Sequence, residues 1–255
     1  MTRSISLNDG WEFMKEPGDG FLQGAEAAAE TVRLPHTGTL LPYNYSEELD
    51  YQYISGYRKA LRLPPLTGGR RLFVQFDGAA QQSVLYFNGK PLLTHRCGYT
   101  AFTAELTAHV LEGENLLALE LDSRESLDQP PFGNEIDYLT YQGVYRGCRL
   151  ILTGPSFLAD LFVHTHGETV YADFAEVGSG TDVLLRLTDG EGKTVLEERQ
   201  KLPEPSENTL PLPAGLPVKP EECRSRSLKL PCPGVRRWST REPVRYTLTD
   251  RKSVV

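Results

Sequence analysis

Apolar and polar residues alternate with a period of two along much of this chain, the period of a strand with one buried face. Arg71–Phe76 (Arg-Leu-Phe-Val-Gln-Phe) alternates in this way and meets a stop at Gly78. Val84–Phe87 and Lys90–Leu93 flank Asn88-Gly89. Asn-Gly supplies the two positive-φ residues that a type I′ turn needs, so a two-residue hairpin is predicted there. Leu116–Leu121, Arg149–Leu152, Leu158–His164, Val170–Phe174 and Val183–Leu187 read as further strands. Asp189-Gly190-Glu191-Gly192 then turns into Thr194–Glu198, a second hairpin with a longer loop. Ser227–Leu230 and Val244–Leu248 complete the series. Ala25–Glu30 has helical propensity over only a turn or two, which predicts a short helical insert. Many short strands separated by turn residues place the chain among the all-β sandwiches and barrels.

The strand pattern breaks at Gly154-Pro155-Ser156 and restarts beyond it. Two domains are therefore expected, 1–154 and 155–255, within the one or two that 255 residues suggest. The second, with roughly seven strand-like runs, suits an immunoglobulin-like sandwich. The proline-rich stretches Leu202–Pro205 and Leu210–Pro220 read as loops or edge segments, because proline cannot donate to a ladder.

Composition narrows the partners. Hydrophobic residues are 39% and charged residues 24% of the chain, the balance of a soluble globular protein. The net charge is −7 and the basic residues are scattered, which argues against nucleic acid and anionic membrane as partners. No apolar run approaches the ~18 residues of a membrane span. Met1–Gly10 has no apolar signal core. Cys97, Cys148, Cys223 and Cys232 show no Cys-x-x-Cys spacing, so no structural zinc site is expected. With no leader, free thiols in a reducing cytoplasm are the expectation.

No active site is displayed by the residues alone. Acid/base hydrolysis by paired side chains calls for two carboxyl groups facing each other across the scissile bond. The acidic clusters Glu47-Glu48, Glu112/Glu114, Glu125/Asp128, Glu197-Glu198 and Glu221-Glu222 read as solvated surface charge, and only Glu135/Asp137 stands out. His164-Thr165-His166-Gly167-Glu168 could put two histidines and a glutamate on one strand face for a metal. It reads equally well as a solvent face running into a turn. Neither a Gly-x-Ser-x-Gly nucleophile context nor a phosphate-binding glycine loop is present. Tyr43, Tyr45, Tyr51 and Tyr53 form one aromatic cluster and Tyr138, Tyr141 and Tyr145 another, suited to sugar stacking or to packing.

Several segments, in order, resemble the family 2 glycoside hydrolases. Leu34-Pro35-His36-Thr37 and Ser55-Gly56-Tyr57-Arg58-Lys59 look like the opening of that family's sugar-binding domain. Phe76-Asp77-Gly78, Tyr86-Phe87-Asn88-Gly89 and His95-Arg96-Cys97-Gly98-Tyr99-Thr100-Ala101-Phe102 follow in the family's order. Asp137-Tyr138-Leu139-Thr140-Tyr141-Gln142-Gly143-Val144-Tyr145-Arg146 is the most diagnostic stretch. Trp238-Ser239, Pro243 and Tyr246-Thr247-Leu248 are similar to the last strands of the family's second domain, and Pro130-Pro131-Phe132-Gly133 looks most like the β-galactosidase branch.

The resemblance implies a jelly-roll sandwich with a galactose-binding-like fold, followed by an immunoglobulin-like spacer. It also implies an (α/β)8 barrel, absent from these residues, that supplies both catalytic glutamates. No catalytic residue and no metal ligand is therefore assigned here. By the same resemblance Asp137, six residues before Gly143, reaches into the barrel's sugar pocket, and Tyr141, Gly143 and Arg146 support its loop, Arg146 as a buried or interface cation. An ionised carboxylate suits that task because it accepts from two adjacent sugar hydroxyls, or shares one with a cation. No cofactor is expected; a monovalent or divalent cation beside Asp137 belongs only to a full-length enzyme. The implied partner is a β-galactoside or related carbohydrate. A surface left by an absent domain would expose an apolar patch and could drive self-association into a homo-oligomer. Three positions depart from the family pattern: Gln142 and Cys97 stand where glycine is usual, and Gly147 where an acidic residue is usual. A side chain at 142 would be awkward if that backbone needed positive φ. The alternatives are a β-glucuronidase or β-mannosidase in place of the galactosidase, a free-standing carbohydrate-binding module, and a purely structural pair of sandwiches.

Overall fold

The structure is a computed structural model that describes residues 2–24, 29–45, 47, 50–133, 135–136, 141–178, 182–201 and 217–253, the last three by backbone only. The chain divides into two compact units, Thr2–Thr153 and Gly154–Val255.

Among the described residues ten strands build the first unit: β1 (Arg3–Ser6), β2 (Trp11–Lys15), β3 (Glu30–Val32), β4 (Ile54–Leu63), β5 (Arg71–Phe76), β6 (Gln82–Phe87), β7 (Lys90–Arg96), β8 (Phe102–Glu105), β9 (Gly113–Asp122) and β10 (Cys148–Thr153). They form a four-stranded sheet in the order β1-β10-β5-β8 and a six-stranded sheet in the order β3-β2-β4-β9-β6-β7. The paired strands are antiparallel. The alternation seen in sequence is the reason the sheets stack. Leu85, Phe87, Leu117, Leu119 and Leu121 of the larger sheet and Val74, Phe76, Phe102 and Leu150 of the smaller share one buried core. Trp11 of β2 meets Phe76 of β5 edge-on at 5.8 Å, and its indole N–H donates to the Leu7 carbonyl at 2.6 Å. This is the jelly-roll sandwich.

Asn88 and Gly89 have φ of 52° and 75°, and β6 pairs with β7 across them, as a type I′ hairpin requires. The Asn88 side chain also accepts from Leu116 N–H and donates to the Asn115 side chain. β4 was hidden from the alternation because both of its faces are covered. On the face away from Tyr57, Arg58 is buried and bonds Glu12 at 2.5 Å and the Phe21 carbonyl at 3.3 Å. A Cβ on Gly56 would lie 2.6 Å from the Phe21 ring. Of the helical insert expected at Ala25–Glu30, residues 25–28 lie outside the described residues; Ala29 is not helical, Glu30 opens β3, and a short helical turn lies earlier, at Phe21–Gln23.

Among the described residues six strands build the second unit: β11 (Phe157–His166), β12 (Thr169–Val177), β13 (Asp182–Thr188), β14 (Thr194–Lys201), β15 (Cys223–Pro231) and β16 (Thr247–Ser253). They form two three-stranded antiparallel sheets, β11-β12-β15 and β14-β13-β16. Ala172, Phe174, Leu228 and Leu230 of one sheet pack with Val183, Leu185 and Leu187 of the other, in the manner of an immunoglobulin-like sandwich. The Asp189 carboxylate accepts the N–H groups of Glu191 and Lys193, and Gly192 has φ 82°, which makes the predicted β13–β14 turn. Val244–Leu248, expected as one strand, becomes strand only from Thr247 and continues to Ser253.

Candidate functional site

The residues singled out lie between β9 and β10. Asp137 itself, with 134 and 138–140, lies outside the described residues. Its flanks are described, and each is fixed by backbone hydrogen bonds. Ahead of it, Phe132 N–H donates to Gln129 O at 2.7 Å and Ile136 N–H to Pro131 O at 3.0 Å, with φ positive at Phe132 (59°) and Gly133 (63°).

Behind it the chain is clamped from two sides. Ala80 N–H donates to the Gly143 carbonyl at 3.1 Å, and His36 N–H donates to the Val144 carbonyl at 2.8 Å. Gly143 has φ 108°, and a Cβ there would lie 2.5 Å from His36 O and 3.0 Å from both Thr37 Cα and the Tyr57 hydroxyl. Only glycine fits a positive φ under such a ceiling. Below it, the Tyr57 hydroxyl accepts the Val144 N–H and lies 2.8 Å from His36 Nδ1. Burial pushes the Tyr57 phenol far up, so it is a neutral donor. Burial also lowers the His36 imidazole, against the opposing charge of Glu30, and a neutral ring offers Nδ1 as the acceptor that this O–H needs.

At Gln142 the backbone does not take the positive φ that would make a side chain awkward; the side chain is buried, its Nε2 without a hydrogen-bond partner among the described residues. The amide oxygen accepts Gly38 N–H at 2.7 Å, and the Gln142 carbonyl accepts the Thr37 hydroxyl at 3.1 Å. A Cβ on Gly38 would lie 2.3 Å from the Gln142 amide. The side chain at 142 occupies the space that glycine at 38 leaves open.

Tyr141 is exposed and, with Tyr99, Tyr145, Ala80, Gln81 and Gly98, lines a cleft of about 50 Å³. Tyr99 and Tyr145 meet edge-on at 6.5 Å, and the Tyr145 hydroxyl donates to the Gly98 carbonyl. Arg146, expected as a buried or interface cation, is exposed within its unit. Its guanidinium sits 5.5 Å from the Tyr145 ring and reaches the Asp77 and Tyr99 carbonyls only at 3.5 Å. The firmer charge pair is one that sequence reasoning missed, Arg149 with Asp77 at 2.7 Å, and Gln75 donates to the same carboxylate oxygen at 3.0 Å. A side chain on Gly147 would meet Asp77 at 3.4 Å, so a second acid there would face an acid. Cys97 is held below the ordinary thiol range; burial works against this, but hydrogen bonds from the Thr100 side chain and from the Tyr99 and Thr100 backbone outweigh it.

The tyrosine cluster ahead of β4 splits. Tyr51 and Tyr53 are buried, whereas Tyr43 and Tyr45 are 100% and 99% exposed. In the second unit β11 runs as far as His166, with an irregularity in its pairing with β12 between Leu158 and Asp160, and Gly167 then turns with φ 60°. His164 bonds Asp173 at 3.1 Å and stacks on Tyr171 at 4.9 Å. Among the described residues no group of three His, Cys, Asp or Glu side chains is placed to hold a metal ion. Glu12, Glu105, Asp122 and Asp77 are each paired with an arginine (Arg58, Arg71, Arg124 and Arg149), which suits structural carboxylates.

No family model matches the chain. It is similar to a β-galactosidase of Thermoanaerobacterium thermosulfurigenes, 34% identical over 171 residues, 66% of this chain and 24% of that protein. It is also similar to a β-glucuronidase of Bacteroides fragilis, 30% identical over 195 residues, 74% of this chain and 27% of that protein. Among solved structures, a glycosyl hydrolase family 2 member from Bacteroides cellulosilyticus matches 99% of this chain with 33% of its own, at a TM-score of 0.76 and 21% identity, a likeness of fold. The chain thus spans about a quarter to a third of the length of these three proteins.

Proposed function

We propose, from the premise that the chain belongs with the N-terminal part of family 2 glycoside hydrolases, that it completes the sugar pocket of an exo-acting, retaining β-glycosidase. β-Galactosides are the leading substrate class, with β-glucuronides the nearest rival, since proteins of both names are similar to the chain. β-Mannosides remain the third choice. In this reading the first unit carries Asp137 to the pocket, the second is a spacer, and the acid/base and nucleophile carboxylates belong to a barrel outside these residues. The assignment of 1–154 and 155–255 to these two tasks is part of the proposal, as is a cytoplasmic location.

The observation that supports it best is the clamp at Gly143. A carboxylate contributes to a sugar pocket only if its loop is anchored, because a misplacement of about 1 Å costs ~100-fold in rate. The bonds Ala80–Gly143 and His36–Val144 behind, and Gln129–Phe132 and Pro131–Ile136 ahead, provide fixed ends within a few residues of Asp137. Hydrogen bonds from sugar hydroxyls to such a carboxylate discriminate strongly, since a sugar lacking the hydroxyl strands a buried charge.

Two assays test this. The 255-residue chain alone should release no p-nitrophenol from p-nitrophenyl β-galactoside, and release at any rate above buffer would sink the proposal. In the whole enzyme Asp137→Asn should lower kcat/KM by roughly 100-fold or more, with thermal stability unchanged; an unaltered kcat/KM removes Asp137 from the pocket. The module alternative makes the opposite forecast, saturable sub-millimolar binding of galactose or an oligosaccharide by the chain alone.

A further inference from the structure

The tyrosine-walled cleft of the first unit has a chemical character of its own. It measures about 50 Å³ and is lined by Ala80, Gln81, Gly98, Tyr99, Tyr141 and Tyr145. Its walls are tied together: the Tyr145 hydroxyl donates to the Gly98 carbonyl, and the Tyr99 ring meets the Tyr145 ring edge-on at 6.5 Å. Tyr99 and Tyr141 are 56% and 60% exposed, so the cleft meets solvent at their edge. Gln81 is the contrast. Only 6% of it is exposed, and its backbone N–H donates to the Asp122 carbonyl at 3.2 Å. Among the described residues its side-chain amide has no hydrogen-bond partner. A buried primary amide offers both donors and an acceptor, and such groups are paired in folded proteins.

Size and charge narrow what the cleft takes. About 10–15 Å³ of cavity holds one water, so this cleft takes a group of about four non-hydrogen atoms. An aryl ring is too large for it, and a lone hydroxyl would leave the tyrosine faces bare. No lining residue is charged, so a carboxylate would enter without a counter-charge. An acetamido group has the right size and is neutral. Its methyl suits aromatic faces, and its carbonyl and N–H match the NH2 and C=O of one glutamine amide. Asp137 stands four residues before Tyr141, a length of chain that spans at most ~14 Å. Ala80, on the cleft's wall, donates its N–H to Gly143 of the same loop.

Resting on the glycosidase reading above, we propose that this cleft receives the acetamido group of an N-acetylhexosamine on the leaving-group side of the scissile bond. The substrate is then a β-glycoside of an N-acetylhexosamine rather than of a plain hexose. Gln81 tells the two leaving groups apart. With the acetamido group in place its amide is paired; with a hydroxyl there it is not, and a site built to hydrogen-bond a substrate group discriminates against the analogue that lacks it. Tyr99, Tyr141 and Tyr145 enclose the methyl.

The test compares two disaccharides in the whole enzyme. Both carry the sugar that the enzyme releases from p-nitrophenyl β-glycosides, and they differ only in an acetamido group or a hydroxyl beside the anomeric carbon of the second sugar. The acetamido member should have the higher kcat/KM, by roughly tenfold or more. Gln81→Leu, close in size, should bring the ratio to about one. Tyr99→Ala, at a half-exposed position, should lower the ratio too, which keeps the test informative if the buried change misfolds. Asp137→Asn should slow both disaccharides and leave their ratio intact; unaltered rates there count against the role of Asp137 and not against the cleft. In the 255-residue chain by itself, N-methylacetamide should shift the Gln81 side-chain amide resonances, and acetate should not. A ratio near one in the parent enzyme, a preference that survives both substitutions, or resonances that ignore N-methylacetamide would each overturn the proposal.

Discussion

At Gly143 the backbone takes φ 108° directly beneath the His36 carbonyl, and a Cβ would be 2.5 Å from that oxygen. Neither atom can yield cheaply, since the carbonyl is backbone and the Gly143 and Val144 carbonyls accept bonds from Ala80 and His36. Gly143→Ala is therefore expected to cost about 3 kcal/mol or more in unfolding free energy, read from urea denaturation followed by Trp11 fluorescence. A loss below about 0.5 kcal/mol, the range of surface substitutions, would show that the loop does not need its glycine. The glycine was legible in sequence because a motif marked it. Its partner in space was not. Gln142 and Gly38 are 104 residues apart, and nothing local says that the amide of one fills the gap left by the other. Asn88-Gly89 is the opposite case, where two adjacent residues specify their own turn.

At the scale of strands, pattern and packing agree where one face is buried and part where both are. β5 begins and ends where its alternation does. β4 is the informative failure. Gly56 and Arg58 look like a break in a strand, yet the glycine makes room for the Phe21 ring and the arginine is sheltered by Glu12 and the Phe21 carbonyl. The second unit has a similar buried charge, with Glu176 of β12 and Arg226 of β15 joined at 2.7 Å and almost wholly enclosed. Removing one partner strands the other, so Glu176→Gln should destabilise the unit by about 3–5 kcal/mol, whereas Glu176→Leu combined with Arg226→Met should be near neutral. Chemical denaturation of the two variants beside the parent decides it: equal losses for the single and double changes would mean that the ion pair itself is required.

Across the whole first unit, the balance of titrating groups sets how stability responds to pH. Burial lowers His36, against the charge of Glu30, and lowers His95, against hydrogen bonds to Thr100 and Cys97. Both histidines bind protons more readily when unfolded, so the unfolded state takes up more protons as pH falls below the ordinary histidine value of about 6.5. Stability is then full above that value and declines as pH falls through it toward the depressed folded values. For Glu105, burial is outweighed by hydrogen bonds from Arg71 and Thr107, and for Asp122 by those from Arg124; both are held below the usual carboxylate range. Their stabilisation is lost only below about pH 4.5. The urea midpoint of the first unit should accordingly fall in two stages, and His36→Gln together with His95→Gln should flatten the upper one; an unchanged midpoint between pH 7 and pH 5.5 in the parent chain would contradict this.

The sequence by itself determined what depends on neighbours along the chain. Alternation set the strands and the all-β class, adjacent residues set the Asn88-Gly89 and Asp189–Gly192 turns, and a spaced set of motifs pointed to the family and to the loop that carries Asp137. Only the tertiary structure decided what depends on residues far apart. It put Gln142 into the space beside Gly38 and made Arg149 rather than Arg146 the firm charge partner near the loop. The physical reason is range. Backbone conformation and strand period are local preferences of a few residues, whereas burial, ion pairing and steric ceilings are fixed by sheets whose contacting side chains come from opposite ends of each unit.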